Sequence, residues 1–205
     1  MNEFIELPVN KNSLAKRKPI FGVGINDADY QIHPNINGKQ YNCPYYQIWV
    51  GILSRCYSTK KQSKAITYLG CTVDPRWYLF SNFKSWMMSQ DWRDKHLDKD
   101  LLIRGNKIYS PEACIFVTQE INNIISNNAI NRGDWLIGVN FDKASKKFRA
   151  SCSAQNKKKH LGCFDTELEA HNAYKAFKKQ VLIDAAYKQQ DLRLQQALLR
   201  ISEEY

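Results

Sequence analysis

The sequence predicts an α+β chain with two separate cores, and three observations carry that reading. Up to about residue 128, apolar and aromatic residues recur mostly at helical spacing. Past an asparagine-rich stretch, Ser126 to Arg132, the pattern changes to three short strand-like runs, the first two of them alternating. Those runs end in Thr166-Glu167-Leu168-Glu169, the pattern of a capping box that opens a helix. A chain of 205 residues is long enough for two such domains. With 43% apolar residues it is a folded protein rather than a disordered tail, and its net charge of +10 directs attention to nucleic acid as a partner class. A solvated lysine-rich surface gives the same count, so charge alone does not decide.

Residues 1–40 read as a basic arm with little helix: Lys16-Arg17-Lys18 precedes Pro19 and the glycines at 22 and 24. Such an arm either tracks phosphates or is simply solvated. The first domain is expected over 41–128. Tyr45 to Tyr57 forms a helix with Tyr46, Trp49, Val50, Leu53 and Tyr57 on one face. A polar loop, Ser58 to Ala65, leads to a short strand, Tyr68 to Val73. Asp74 and Pro75 then supply an N-cap and first-turn proline for a helix bearing Trp77, Phe80, Phe83, Trp86 and Met87. These aromatics read as core rather than as base-stacking platforms, because exposed apolar surface costs about 25 cal/mol per Å2.

Leu97 to Leu102 alternates as a strand, Arg104 to Lys107 is a turn, and Ser110-Pro111-Glu112 offers a cap, a proline and a first-turn acid. The apolar run Cys114 to Val117 leads into a short helix. Strand, loop, apolar segment and helix place Asp98 and Asp100 upstream of Asn122 and Asn123, a set of oxygen donors of the kind that holds a divalent metal. His96, two residues before Asp98, shares its face in an extended strand. Lys99 lies between two acids, whose charge favours its protonated form, and it is expected to stay exposed.

The second domain is expected over 133–186. Its strands are Trp135 to Phe141, Lys147 to Ser153 and His160 to Phe164, with turns at Asp142 to Ser145 and Gln155 to Lys158. The helix after Thr166 carries Ala170, Ala173, Tyr174, Phe177 and Val181 at helical spacing, and its small alanines let it lie close to the sheet. Period-two alternation turns Phe148 and Ala150 toward the helix and Lys147, Arg149, Ser151 and Ser153 outward. Asn140, Lys143, Lys157, Lys158, Lys159 and His160 join the outward set by proximity. Residues 187–205 form a helical extension that either packs within the chain or pairs with a second copy or a protein partner. The six cysteines include no CxxC pair, so reduced thiols are expected. No segment reaches the ~20 apolar residues of a membrane span, so the expected protein is soluble and cytoplasmic.

Two family resemblances sharpen these readings. Over roughly Tyr45 to Asn128, with segments such as WVGILSRCY and VDPRWYLFSNFKSW, the chain resembles the HNH endonucleases of bacteriophages. That resemblance implies a ββα-metal module with flanking helices, acting inside a bacterial host. It places Asp98 at the metal-binding aspartate, Lys99 at the general-base histidine, Ala113 at the central asparagine and Asn122 at the metal-binding asparagine of the helix. Mg2+ or Mn2+ is the implied metal, held by Asp98 and Asn122, with Lys99, His96 and Asp100 as the catalytic candidates.

The segment IGVNFDKASKKFRASCSAQNKKKHLGCFDTELEAHNAYKAF resembles the DNA-binding domain of the plant APETALA and ethylene-response-factor family, which also occurs attached to phage HNH nucleases. The match runs through Gly138-Val139, Phe148 and Ala150, Leu161-Gly162 with Phe164, Thr166 and Ala173-Tyr174. It implies a three-stranded sheet lying in the major groove of double-stranded DNA, backed by the helix. Two functions follow. One is a metal-dependent DNA endonuclease or nickase, favoured by Asp98, Asp100 and Asn122. The other is a DNA-binding or partner-blocking protein that has lost cleavage, favoured by Lys99 and Ala113.

Overall fold

The computed structural model describes residues 4–126, 134–154 and 157–205, and divides the chain into Met1–Phe116 and Val117–Tyr205. The expected mixture of helix and sheet is present, with a core in each unit. The division lies ahead of the asparagine-rich stretch. Most of that stretch, residues 127–132, is outside the described residues. None of the described helices is long and apolar enough to cross a membrane.

In the first unit α1 (Lys11–Ala15) and the small hairpin β1 (Asn35–Ile36) and β2 (Lys39–Gln40) precede α2 (Pro44–Tyr57). After α3 (Thr59–Gln62) come β3 (Thr72–Val73) and α4 (Phe80–Met88). Helix α2 matches its expected span, whereas the strand expected over Tyr68 to Val73 is only β3, preceded by a 3-10 turn at Ile66–Tyr68. The expected Asp74 cap forms, its Oδ1 accepting from the Arg76 N–H at 2.9 Å, but it starts a 3-10 turn, Pro75–Tyr78, and α4 begins separately. Trp49, Ile52, Leu53, Phe80, Phe83 and Met87 are fully buried between these helices. Burying each such side chain contributes about 1.5–3 kcal/mol. The Trp49 indole N–H finds the Trp77 carbonyl at 2.7 Å, so its one polar atom is satisfied inside the core.

The amino-terminal arm is built into this unit. Arg17 donates to the carbonyls of Asn26 (2.8 Å), Ala28 (2.5 Å) and Tyr30 (3.3 Å), which engages its guanidinium with the chain itself. Asp27 caps α4 from a distance, accepting from the Ser81 N–H at 2.8 Å. Lys84 on α4 pairs with Glu6 at 2.6 Å and sits 4.4 Å from the Tyr30 ring centre. Gly24 is needed for close approach, because a Cβ there would stand 2.4 Å from Leu53 Cδ1.

Strands β4 (His96–Asp98) and β6 (Ile115–Val117) form a two-stranded sheet, while β5 (Ile108–Tyr109) pairs in parallel with β3. The alternation through Leu102 does not extend β4, because residues 99–104 fold into bends and a turn. In the second unit α5 (Gln119–Ile125) is capped by Thr118, whose Oγ1 accepts from the Ile121 N–H at 3.2 Å.

Strands β7 (Val139–Asp142), β8 (Lys147–Ala154) and β9 (Lys157–Phe164) form the expected antiparallel sheet in the order β7-β8-β9. The tip between β8 and β9, residues 155–156, is outside the described residues. Helix α6 (Glu167–Tyr187) opens with the capping box and lays Ala170 and Ala173 against Val139 and Ala150 of the sheet. Strand β7 starts only at Val139. The expected residues 135–138 instead form a turn fixed to α6, with Leu136 N–H donating to Glu167 at 2.5 Å and His171 Nδ1 donating to the Ile137 carbonyl at 3.0 Å. Gly138 has φ +83, and a Cβ on it would lie 2.1 Å from Tyr174 Cδ2, so this turn admits only glycine.

The carboxy-terminal extension is a separate helix, α7 (Leu192–Ser202), capped by Asp191. It packs on α6, with Leu194, Ala197 and Leu198 buried. Lys178 of α6 is buried as well, and its ammonium donates to the Ile124 carbonyl in the last turn of α5. That contact places a cation at the carbonyl end of a helix without basic residues of its own there. Burial lowers the Lys178 pKa.

Candidate functional site

Around Asp98 the chain is folded upon itself. Asp98 Oδ1 accepts from the backbone N–H groups of Asp100 (3.0 Å) and Leu101 (2.8 Å), capping the bend that follows β4. Burial raises the pKa of this carboxyl, and the neighbouring Asp100 adds to the rise. Lys99 is buried, contrary to its expected exposure. Its Nζ donates to Asp100 Oδ2 at 3.1 Å and to the Asn106 carbonyl at 3.0 Å, and these two acceptors replace the water that burial removes. Asn106 closes the loop in return, with Nδ2 donating to the carbonyls of Lys99 (2.6 Å) and Ile108 (2.7 Å).

His96 is exposed. Ala113 is buried in the turn held by Ser110, whose Oγ accepts from the Ala113 N–H at 3.2 Å. Glu112, instead of starting a helix, pairs with Arg76 at 2.8 Å, which holds its carboxyl down at about 2. Asp98 belongs to the first unit, and Asn122, half-buried on α5, to the second.

No group of three or more His, Cys, Asp and Glu among the described residues is placed to hold a metal ion. A hard divalent cation needs several converging oxygens. Here Asp98 is engaged with two amides and Asp100 with an ammonium, so the donors around β4 do not fit such a centre as they stand.

The three-stranded sheet brings most of the other candidates together. Cross-strand partners share a face, so register decides which side chains point away from α6. Arg149 on the central strand has Asn140 and Cys163 as its partners. Ser151 is opposite His160 and Ser153 opposite Lys158. These rows face outward, as does Lys147, which pairs with Asp165 at 3.1 Å. Between Ala150 and Ser151 the register shifts, since Gly162 and then His160 are the consecutive partners and Leu161 is the extra residue.

Below that bulge Lys159 is opposite buried Cys152 and Lys157 opposite Ala154, on the helix side of the sheet. Accordingly the Lys159 ammonium sits 4.7 Å from the Phe177 ring centre of α6. The lysine run therefore splits by face: Lys158 and His160 belong with Arg149, whereas Lys157 and Lys159 do not.

The outward face holds a shallow concavity of about 610 Å3, lined by Asn140, Phe141, Asp142, Lys143, Arg149, Ser151, Lys158 and His160. Six of these were expected on sequence grounds. Asp142 was not, although it has the most definite geometry of the set. Its Oδ2 accepts from Arg149 Nη2 at 2.7 Å, and its Oδ1 accepts from the Ala144 N–H at 3.1 Å. That amide, with Ser145 and Arg149 behind it, lowers the Asp142 pKa. The signal was the turn DKAS itself, in which an aspartate bonding two residues ahead fixes its own carboxylate. The bulge also had a signal, the glycine at 162 inside a strand, with φ +139.

Compared with known protein families, with curated proteins and with solved structures, the chain finds no match.

Proposed function

We propose that this protein binds double-stranded DNA through the outward face of its three-stranded sheet. The observation that carries the reading is the concavity on that face, where Arg149, Lys143 and Lys158 front one surface with the amide of Asn140 and the hydroxyl of Ser151. Between Asp134 and Asp165 seven lysines and arginines stand against three aspartates, a local excess that attracts phosphates. A sheet of this width enters a groove about 12 Å wide, where outward side chains reach phosphates and base edges.

The test is a salt series of duplex binding, read by fluorescence anisotropy. Affinity falls steeply with salt, and Lys158→Ala weakens binding to all duplexes alike while flattening the log-log slope by about 0.9. An affinity indifferent to salt, or a preference for RNA over duplex DNA, sinks the proposal.

A second reading, a metal-dependent nickase of HNH type, draws on the order of β4, β6 and α5 along the chain. It requires the Asp98 loop to open and Mg2+ or Mn2+ to bind. Plasmid nicking with either metal, abolished by Asp98→Ala, supports it; plasmid left intact by the wild type removes it. The buried Lys99 favours the binding reading.

A further inference from the structure

We propose that Asp142 is a positioning residue that turns Arg149 from a phosphate-tracking cation into a reader of a base edge. The inference rests on the duplex-binding reading above and names what one part of that face recognises. Arg149 is the third of the eight residues of the central strand and has Asn140 and Cys163 on either side, so it stands within the width of the three-stranded face rather than on an edge strand. Side chains at such a position reach deepest into a groove, whereas phosphates are met at the rims. The ion pair is half-exposed at Arg149, with relative exposures of 52% for the arginine side chain and 24% for the aspartate. Pairs this open add little to stability.

Asp142 is also the wrong sign for phosphate attraction, since it neutralises a cation of a basic face. What the pair does supply is orientation. The carboxylate is fixed by the Ala144 amide of the β7–β8 turn and fixes one edge of the guanidinium in turn. One of the five guanidinium donors is used in this bond, and Arg149 lines the concavity. A planar fork held in one orientation matches the O6 and N7 acceptors of guanine, the commonest base contact of arginine. An unrestrained arginine, by contrast, loses side-chain entropy on reading a base and otherwise settles on phosphates.

The experiment uses the full chain as wild type, Asp142→Asn and Arg149→Lys. Each is equilibrated with a duplex pool of randomised sequence, the bound fraction is sequenced, and affinity for mixed-sequence duplex is measured across a salt series. Asparagine keeps an oxygen for the Ala144 amide, so the turn persists, and equal urea midpoints confirm it. The wild type enriches guanine at one position by about tenfold.

Asp142→Asn loses most of that enrichment, binds mixed-sequence duplex at least as tightly, and steepens the salt slope by about 0.9 as the freed cation takes a phosphate. Arg149→Lys loses the enrichment without changing the slope. Wild-type enrichment retained in Asp142→Asn, or duplex binding by the wild type with no base preference, overturns the proposal and leaves the binding reading standing. Absence of duplex binding by the wild type at every salt overturns both.

Discussion

At the residue scale, Asp98 shows how one carboxylate closes the bend that follows a strand. It is half-buried, raised in pKa by the desolvation this entails, and accepts two backbone amides. A carboxyl whose folded pKa lies above its unfolded value binds its proton more tightly in the folded state. Its ionisation therefore costs stability as pH rises through the folded pKa, and the cost is absent below the ordinary carboxylate range near 4. Asparagine retains an acceptor for the Asp100 and Leu101 amides but carries no charge. Asp98→Asn is thus expected to be more stable than wild type toward urea at pH 7, with the difference closing as pH falls toward 3. A variant less stable than wild type at neutral pH would mean that the carboxylate is held by something stronger than these two amides.

The burial of Lys99 is what local sequence patterns around β4 do not disclose. Two flanking acids suggested solvent, but only Asp100 pairs with the ammonium. Its second acceptor is the Asn106 carbonyl, seven residues away, which local reasoning about charge does not see.

At the element scale, the decisive feature is the bulge in β9. The existence and order of the three strands, the capping box and the alanine face of α6 were legible because each is a local pattern, whereas β9 starts at Lys157, inside the expected turn Gln155 to Lys158, rather than at His160. Which lysines face outward depends on one extra residue, Leu161, and on a partner strand that local periodicity does not contain. The consequence is measurable. Lys159→Ala is expected to leave duplex affinity within about twofold of wild type, since an ammonium over an aromatic ring is worth about 0.5–1 kcal/mol to the fold rather than to the ligand. Lys158→Ala, on the other face, lowers affinity. Equal losses in both variants, in chains with equal urea midpoints, would contradict the register.

The turn before β7 was misread as strand for a related reason. Trp135 to Gly138 is a continuous apolar run leading into β7, yet its backbone is pinned to Glu167 and His171 of α6, and the Trp135 ring packs 5.1 Å from that of Phe148.

At the scale of the whole molecule, the chain consists of two units with distinct cores, and the basic arm belongs structurally to the first. Helix α4 begins at Phe80 after Leu79, which offers no side-chain cap, and the missing acceptor comes from Asp27. Asp27→Ala is expected to cost about 0.5–2 kcal/mol in the first unit, as loss of an N-cap does, while duplex affinity stays unchanged. Urea unfolding followed by tryptophan fluorescence, beside the binding titration, checks both halves. A parallel loss of DNA affinity would tie the arm to the ligand after all. From sequence, Lys16-Arg17-Lys18 was readable as a cationic cluster. That Arg17 turns inward to three carbonyls depends on the path of residues 26–30, which no spacing rule supplies.

Five of the six cysteines are buried and Cys163 alone is exposed, in the same cross-strand row as Arg149. The native chain thus carries its own attachment point for a maleimide dye, and no engineered cysteine is required to put a reporter on the sheet. Under native conditions the reagent meets one sulfur; in denaturant it meets six. Labelling stoichiometry becomes a measure of how much of the population is folded, and the dye sits beside the arginine whose surroundings are in question.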